Sequence, residues 1–208
     1  MKIKVCGLTL KENIHDVAGL GPDLMGLIFY PRSPRYVVGK LEPFDLAGLP
    51  AGVLKAGVFV NADIKEMIAI FRKYDLDLLQ LHGDESPELC KELKDKGIQI
   101  IKAFNLYEGF NFASVNDYIP FCRYLLFDTH SGQKGGSGRK FNWKIISDYT
   151  LDHPFFLSGG IAPGDAGELL SFHHPSLAGV DVNSRFENSP GIKDIGKLKV
   201  FINELRIK

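Results

Sequence analysis

The sequence lacks several features that would place it in a common class of protein. No stretch is apolar for long enough to span a bilayer. Lys4, Gly7 and Thr9 interrupt the first apolar stretch before it reaches the length of a signal-peptide core. Neither charge is in excess, because 25 Lys and Arg residues balance 25 Asp and Glu residues. We therefore expect neither membrane insertion nor the broad positive field that binds nucleic acids.

Cysteines are few, and the histidines are scattered. Cys6, Cys90 and Cys122 lie far apart and form no C-x-x-C pair, which argues against a disulfide framework and against a zinc site. None of the six histidines belongs to an H-x-x-x-H or H-E-x-x-H pattern. We therefore expect no metal site, and the unpaired cysteines favour the cytoplasm.

A regular series of short apolar segments is present instead. The length of 208 residues and the 45% hydrophobic content suffice for one core, so we expect a single domain over residues 1–208. The segments are nearly continuously apolar, which is typical of parallel strands buried on both faces. We predict eight strands, over Ile3–Cys6, Leu24–Phe29, Ala56–Val60, Leu78–Leu81, Ile98–Ala103, Tyr124–Phe127, Phe155–Leu157 and Gly179–Val182.

Helical patterns separate several of these strands. We predict helices over Asp63–Tyr74 with a cap region at Asn61, from Ser86-Pro87-Glu88 onward, and over Asn142–Tyr149, Gly164–Ser171 and Asp194–Leu205. The segment Gly39–Leu54 is rich in Gly and Pro and favours only a short or irregular helix.

Eight strands that alternate with helices form either a closed barrel or an open doubly wound sheet. Polar or Gly-rich residues directly follow most of the strands, at Gly7-Leu8-Thr9, Arg32–Arg35, His82-Gly83-Asp84, Asp128–Gly138, Ser158-Gly159-Gly160 and Asn183-Ser184-Arg185. A barrel gathers such residues at one mouth, whereas an open sheet spreads them along an edge. We therefore predict the α/β class and a (β/α)8 TIM barrel.

Two of these segments match a phosphate site of barrel enzymes, which lies after strands seven and eight. Gly159 and Gly160 follow the seventh predicted strand, and Asn183 and Ser184 follow the eighth. A third Gly-rich stretch, Gly135–Gly138, follows the sixth strand as a candidate lid. Paired glycines alone also serve as simple turns, but the two positions together favour a small phosphorylated ligand.

Cys6 and Asp128 end the first and sixth predicted strands. A lone cysteine is most often a buried apolar residue, which is our interpretation of Cys90 and Cys122. Lys4 lies on the same strand face as Cys6 and favours a thiolate, so a base and an inert thiol are equally supported for Cys6. Asp128 follows apolar residues that favour its protonated form, which suits a general acid. A solvated Asp or a helix cap is the alternative for Asp128.

Two other polar residues are weaker candidates. The guanidinium of Arg35 suits a carboxylate or phosphate, although a loop arginine is usually solvated. His82 ends the fourth strand, where it either binds substrate or forms a hydrogen bond with the backbone.

Seven segments, in order along the chain, resemble the successive motifs of the phosphoribosylanthranilate isomerase family. They are Lys4-Val5-Cys6-Gly7-Leu8-Thr9, Ser33-Pro34-Arg35-Tyr36-Val37, Leu79-Gln80-Leu81-His82-Gly83, Phe127-Asp128 with Gly135-Gly136-Ser137-Gly138 and Phe141-Asn142-Trp143, Leu157-Ser158-Gly159-Gly160-Ile161, Val180-Asp181-Val182, and Pro190-Gly191-Ile192-Lys193-Asp194.

The resemblance implies a cofactor-free Amadori rearrangement in tryptophan biosynthesis, with Asp128 as the acid that opens the furanose ring and Cys6 as the base that removes the C2 proton. Arg35 matches the position that binds the anthranilate carboxylate. The implied substrate-binding residues are Arg35, His82, Gly136, Ser137, Gly138, Gly159, Gly160, Asp181, Asn183 and Ser184. The expected partner is the phosphorylated substrate, and the expected assembly is a monomer or a homodimer.

One motif departs from the family, and rival functions exist. Asn183-Ser184-Arg185-Phe186-Glu187 stands where the family usually has Ser-Ser-Gly-Val-Glu, so Arg185 restricts the backbone yet adds a charge near the phosphate. A pentose-phosphate epimerase would need metal-ligating His and Asp residues at the strand ends, and indole-glycerol phosphate synthase would need catalytic Lys and Glu residues. A phosphate-binding barrel without catalysis would not need both Cys6 and Asp128.

Overall fold

The computed structural model describes residues 1–128 and 143–206. Its centre is a barrel of eight parallel strands, in which every strand pairs with its neighbours in sequence and the first pairs with the eighth. The strands are β1 (Lys2–Cys6), β2 (Leu24–Ile28), β3 (Leu54–Phe59), β4 (Leu78–Leu81), β5 (Gln99–Asn105), β6 (Tyr124–Asp128), β7 (Phe155–Ser158) and β8 (Leu177–Val182). The predicted barrel and its eight strands are confirmed, with ends that move by a few residues at most.

The helices cover the outside of this barrel, and a small hairpin follows it. The α-helices are α1 (Lys11–Gly19), α2 (Ile64–Lys73), α3 (Pro87–Asp95), α4 (Ala166–Ser171) and α5 (Ile195–Arg206). Shorter 3₁₀ turns span Pro43–Leu46, Phe112–Tyr118, Trp143–Asp148, Pro163–Asp165 and Ser184–Phe186. The strands β9 (Glu187–Ser189) and β10 (Ile192–Lys193) form the antiparallel hairpin. None of the helices in the two described ranges is long and apolar enough to cross a membrane.

Four of the predicted helices are present, as α2, α3, α4 and α5, although α4 has no side-chain hydrogen bond at its N-cap. Ser86 accepts a hydrogen bond from the Leu89 amide and Pro87 begins α3, as expected. The cap of α2 is Asp63 and not the Asn61 region, because the Asp63 side chain accepts from the Lys65 amide. Gly39–Leu54 contains only a 3₁₀ turn, as predicted, and the helix predicted to end at Tyr149 is also a 3₁₀ turn.

Alternating strand residues divide the apolar core into two parts. One cluster fills the barrel interior and consists of Leu24, Ala56, Leu78, Ile101, Ala103, Tyr124, Leu126 and Phe156. The larger cluster, which includes Ile3, Val5, Val180 and Val182, lies between the sheet and the helices. Because both strand faces are buried, the strands are continuously apolar in sequence. The same alternation places Lys4 and Cys6 on the interior side of β1.

A buried ion pair fixes the loop that follows β4. Lys102 on β5 lies 3.1 Å from Glu85, and both side chains are 2% exposed. The Lys102 ammonium also donates to the Gly83 carbonyl at 2.7 Å, while the Glu85 carboxylate accepts from the Asn61 and Gly83 amides. This network therefore sets the path of the chain directly after His82.

Glu85→Ala should lower the free energy of unfolding by about 3–5 kcal/mol, because it leaves the Lys102 ammonium buried without its counter-ion. Urea denaturation followed by circular dichroism measures the change. The control is Glu92→Ala, which removes an exposed partner of Lys96 and should cost less than about 0.5 kcal/mol. Equal effects of the two substitutions would show that the buried network contributes nothing beyond a surface pair.

Candidate active site

One pocket at the carboxyl ends of the strands contains every described residue predicted for the site. Its lining includes Cys6, Arg35, His82, Asp128, Gly159, Gly160, Asp181, Asn183 and Ser184, together with Ile28, Val58, Gln80, Ser158, Ile161 and Arg185. Gly136, Ser137 and Gly138 lie outside the described residues. In the described part of the chain, no group of three or more His, Cys, Asp or Glu side chains is arranged to hold a metal ion.

Cys6 ends β1 and packs against a glycine of the neighbouring strand. Its register partner on β2 is Gly26, and a methyl group added to Gly26 would lie 2.6 Å from the Cys6 Sγ. The chain then turns at Gly7, which has a φ of +81° that favours glycine. Gly26 therefore makes the space in which the thiol sits, and a glycine inside an apolar strand is the sequence signal for such a close approach.

A buried ion pair lies below the thiol. The Lys4 ammonium is 3.0 Å from Oδ1 of Asp181, and the side chains are 0% and 6% exposed. Burial acts to lower the pKa of Lys4, but the charge of Asp181 and its hydrogen bond act in the opposite direction, and the net pKa is raised. Lys4 is therefore a cation, and one oxygen of Asp181 is already engaged.

The predicted influence of Lys4 on Cys6 is present, because the charge of Lys4 acts to lower the pKa of the thiol, but it does not make Cys6 a thiolate. Burial raises the pKa of the Cys6 thiol, and the opposing charges of Lys4 and Lys193 do not overcome it. Asp181 also raises the pKa, because its negative charge offsets that of Lys4. The free site therefore holds Cys6 mainly as the thiol at neutral pH.

Asp128 and His82 form the opposite side of the pocket. The His82 Nε2 lies 3.4 Å from Oδ2 of Asp128, and the two side chains are 25% and 17% exposed. Behind His82, the Gln80 Nε2 lies 3.2 Å from His82 Nδ1. The structure thus places a carboxyl and an imidazole across the barrel mouth from the thiol, on β6 and directly after β4.

Arg35 has a partner that the sequence analysis did not predict. Its Nε and Nη2 donate to both carboxylate oxygens of Glu187, at 2.7 and 2.6 Å. Lys193, with a fully buried side chain, donates to the same carboxylate at 2.7 Å and to Oδ1 of Asn183 at 2.7 Å. Burial acts against ionisation of Glu187, but Arg35 and Lys193 lower its pKa. Two cations therefore share one carboxylate beside the pocket.

The last two loops provide the backbone expected of an anion site. Gly159 and Gly160 both have positive φ, at +96° and +68°, and Ser184–Phe186 forms a 3₁₀ turn. Arg185 is exposed and lines the pocket, and it forms no ion pair with any other described residue. A guanidinium therefore stands next to the glycine loop.

Comparison with known proteins gives one consistent family. Residues 3–204 match the family model of N-(5′-phosphoribosyl)anthranilate isomerase. The chain is 45% identical over 208 residues to a Parabacteroides distasonis protein of that name, covering 99% of this chain and 93% of that protein.

Solved structures agree with this result. The structure of phosphoribosyl anthranilate isomerase from Thermotoga maritima has a TM-score of 0.86 at 32% identity, covering 99% of this chain and 98% of that one. A second structure, of the isomerase in complex with reduced 1-(o-carboxyphenylamino)-1-deoxyribulose 5-phosphate, has a TM-score of 0.82 at 29% identity with the same coverage.

The raised pKa of Cys6 predicts a slow alkylation that accelerates with pH. In a Cys90→Ala, Cys122→Ala background, iodoacetamide should modify Cys6 slowly at pH 7, and the rate should rise through the alkaline range because the thiolate is the nucleophile. Lys4→Met should move the rise to still higher pH. The rate is measured by mass spectrometry with a free thiol as the control. A rate that is already maximal at pH 7 would contradict the buried-thiol interpretation.

Proposed function

The chain belongs to the N-(5′-phosphoribosyl)anthranilate isomerase family, and we propose that it works through Cys6 as general base and Asp128 as general acid. It is an isomerase of tryptophan biosynthesis. The proposed reaction converts N-(5-phosphoribosyl)anthranilate into 1-(2-carboxyphenylamino)-1-deoxyribulose 5-phosphate. The observation that carries the proposal is the position of the two groups, which line one pocket from different strands.

The chemistry requires one proton donor and one proton acceptor. Asp128 gives a proton to the ring oxygen, the C1–O bond breaks, and a protonated Schiff base forms at C1. Cys6 removes the C2 proton, the C2–H electron pair forms the C1=C2 bond, and the C1=N pair returns to nitrogen, which gives a neutral enaminol. The enaminol takes up a proton at C1 and loses the proton of its C2 hydroxyl, which gives the ketone. Because the reaction proceeds by proton transfers within one substrate molecule, it requires no redox cofactor.

The buried thiol is compatible with this sequence of steps. Cys6 is mainly protonated in the free site because burial raises its pKa. The Schiff base formed by ring opening carries a positive charge, and a nearby positive charge favours the thiolate. Substrate therefore helps to create the base at the step that uses it.

The charged ends of the substrate have candidate partners in the pocket. The phosphate is assigned to the amides of Gly159 and Gly160 and to Asn183 and Ser184, with Arg185 adding a positive charge. The sequence resemblance adds Gly136, Ser137 and Gly138.

The anthranilate end and the sugar hydroxyls are assigned to other polar side chains of the pocket. The anthranilate carboxylate is assigned to the guanidinium of Arg35, of which only Nε and Nη2 are bonded to Glu187. His82 and the second oxygen of Asp181 are assigned to the sugar hydroxyls.

Compartment and assembly complete the proposal. We assign the protein to the cytoplasm, because Cys6, Cys90 and Cys122 are all free thiols. A monomer or a homodimer is proposed, and light scattering coupled to size-exclusion chromatography distinguishes them.

Growth of a bacterial strain that lacks this isomerase tests the function directly. Expression of the chain should restore growth without tryptophan, and the purified protein should turn over phosphoribosylanthranilate. A well-expressed, folded protein that fails both tests would overturn the function and would favour a phosphate-binding barrel without catalysis.

Cys6→Ala should reduce kcat by roughly 10²–10⁴-fold with an unchanged circular dichroism spectrum, because a methyl group cannot accept the C2 proton. Cys90→Ala and Cys122→Ala remove cysteines that are buried away from the pocket, and they serve as controls with nearly normal kcat. A Cys6→Ala variant that keeps a tenth or more of the normal kcat would reject the base assignment.

Arg185→Ala should raise KM and weaken competitive inhibition by inorganic phosphate, with a smaller effect on kcat, because the phosphate is present in both the ground and transition states. The difference from the unsubstituted protein should shrink as salt is added. Arg32→Ala, on an exposed arginine outside the pocket lining, is the control. Unchanged phosphate inhibition in Arg185→Ala would remove Arg185 from the anion site.

A further inference from the structure

Gln80 is a buried amide in the pocket whose bonding is incomplete. It lies on β4, is 1% exposed and lines the same cavity as Cys6 and Asp128. Its Nε2 approaches His82 Nδ1 at 3.2 Å, but its Oε1 has no hydrogen-bond partner among the described residues. A buried acceptor without a partner is costly and rare. The orientation of this amide is therefore set by the contact of its nitrogen with His82, because its oxygen has no hydrogen bond that could set it.

The direction of the hydrogen bonds follows from the chemistry of the three groups. An amide nitrogen can only donate, so the Nδ1 that faces it must present its lone pair. A neutral imidazole with a bare Nδ1 carries its proton on Nε2, and this nitrogen faces Oδ2 of Asp128 at 3.4 Å. Each contact then has one donor and one acceptor. The reversed amide would leave a bare Nε2 facing Oδ2, which only the acidic proton of Asp128 itself could satisfy, so that this proton would point at the imidazole and away from the substrate.

We propose that Gln80 is a positioning residue that holds His82 as the Nε2–H tautomer, so that His82 donates a hydrogen bond to Oδ2 of Asp128. This bond stabilises the carboxylate that Asp128 becomes after it protonates the ring oxygen. It also directs the reactive proton of Asp128 to the other carboxyl oxygen. Gln80 does not exchange a proton, and Asp128 regains its own from solvent.

The loop network below His82 supports this arrangement. Lys102 donates to the carbonyls of Leu81 and Gly83, on either side of His82 in the chain, at 3.4 and 2.7 Å. The backbone of His82 is thus fixed by bonds outside the pocket. These backbone bonds do not determine which ring nitrogen of His82 carries the proton. Gln80 is the group that contacts Nδ1 and can determine it.

Nitrogen NMR of the histidine-labelled protein tests the tautomer without reference to turnover. His82→Asn assigns the His82 signals among those of the six histidines. At a pH where the imidazole is neutral, Nε2 should be protonated and Nδ1 should be bare. A proton on Nδ1 in the unsubstituted protein would overturn the inference, even if no variant folds.

Gln80→Glu supplies the activity arm of the test, because it replaces the donor by an acceptor of the same size. The His82 ring should then carry a proton on Nδ1. The value of kcat should fall by about tenfold or more, with a smaller change in KM, because Gln80 supports the general acid and its loss should cost less than loss of the acid itself. Gln80→Met should give a mixture of tautomers and an intermediate kcat. An unchanged tautomer and an unchanged kcat in Gln80→Glu would refute the role of Gln80.

Gln99→Glu is the matched control. Gln99 is exposed at the start of β5 and accepts a hydrogen bond from Arg123, so the same chemical change should leave both the His82 signals and kcat unchanged. The inference rests on the proposed function only through the role of Asp128. If His82 is the Nε2–H tautomer but the protein has no turnover, the proposed function is wrong and the hydrogen-bond assignment is correct. If the protein has turnover but His82 is the Nδ1–H tautomer, the hydrogen-bond assignment is wrong and the proposed function is unaffected.

Discussion

The ion pair between Lys4 and Asp181 is the interaction on which the rest of the site depends. The two residues are register partners on β1 and β8, where the barrel closes. Both side chains are buried, so removing either would leave an uncompensated charge in the interior. The pair therefore links the closure of the sheet to the electrostatics of Cys6, which lies two residues along β1 from Lys4. Asp181 works against the effect of Lys4 on the thiol, and burial, which is the largest influence, raises the pKa of Cys6.

Excess positive charge lies beside the pocket and not below the thiol, where Lys4 and Asp181 balance. Arg35 and Lys193 share the single carboxylate of Glu187, so this cluster carries a net charge of one. Arg185 adds another charge on the phosphate side. A substrate with a carboxylate at one end and a phosphate at the other is thus drawn to the pocket, while the ion pair below Cys6 is neutral.

The barrel architecture could be predicted from the sequence because local residue patterns determine it. Continuous apolar segments identify the strands, and polar residues after them identify the mouth. Helix α1 was not predicted, since it begins after Leu10, which cannot cap a helix. Contacts between residues that are far apart in the sequence could not be predicted either. Glu187 meets Arg35 across 152 positions of the chain. The approach of Asp181 to Lys4, which works against the expected effect of Lys4 on Cys6, depends on barrel closure.

The central claim is that Cys6 faces the second sugar carbon and Asp128 faces the ring oxygen of one phosphorylated sugar amine. A crystal structure of this chain with reduced 1-(o-carboxyphenylamino)-1-deoxyribulose 5-phosphate tests it most directly. We predict the Cys6 Sγ within about 3.5 Å of the second carbon of the ribulose chain. Asp128 should lie beside the sugar oxygen that closes the ring in the substrate, with the phosphate between Gly160 and Arg185. The analogue bound with that carbon remote from Cys6, or bound outside this pocket, would contradict the account.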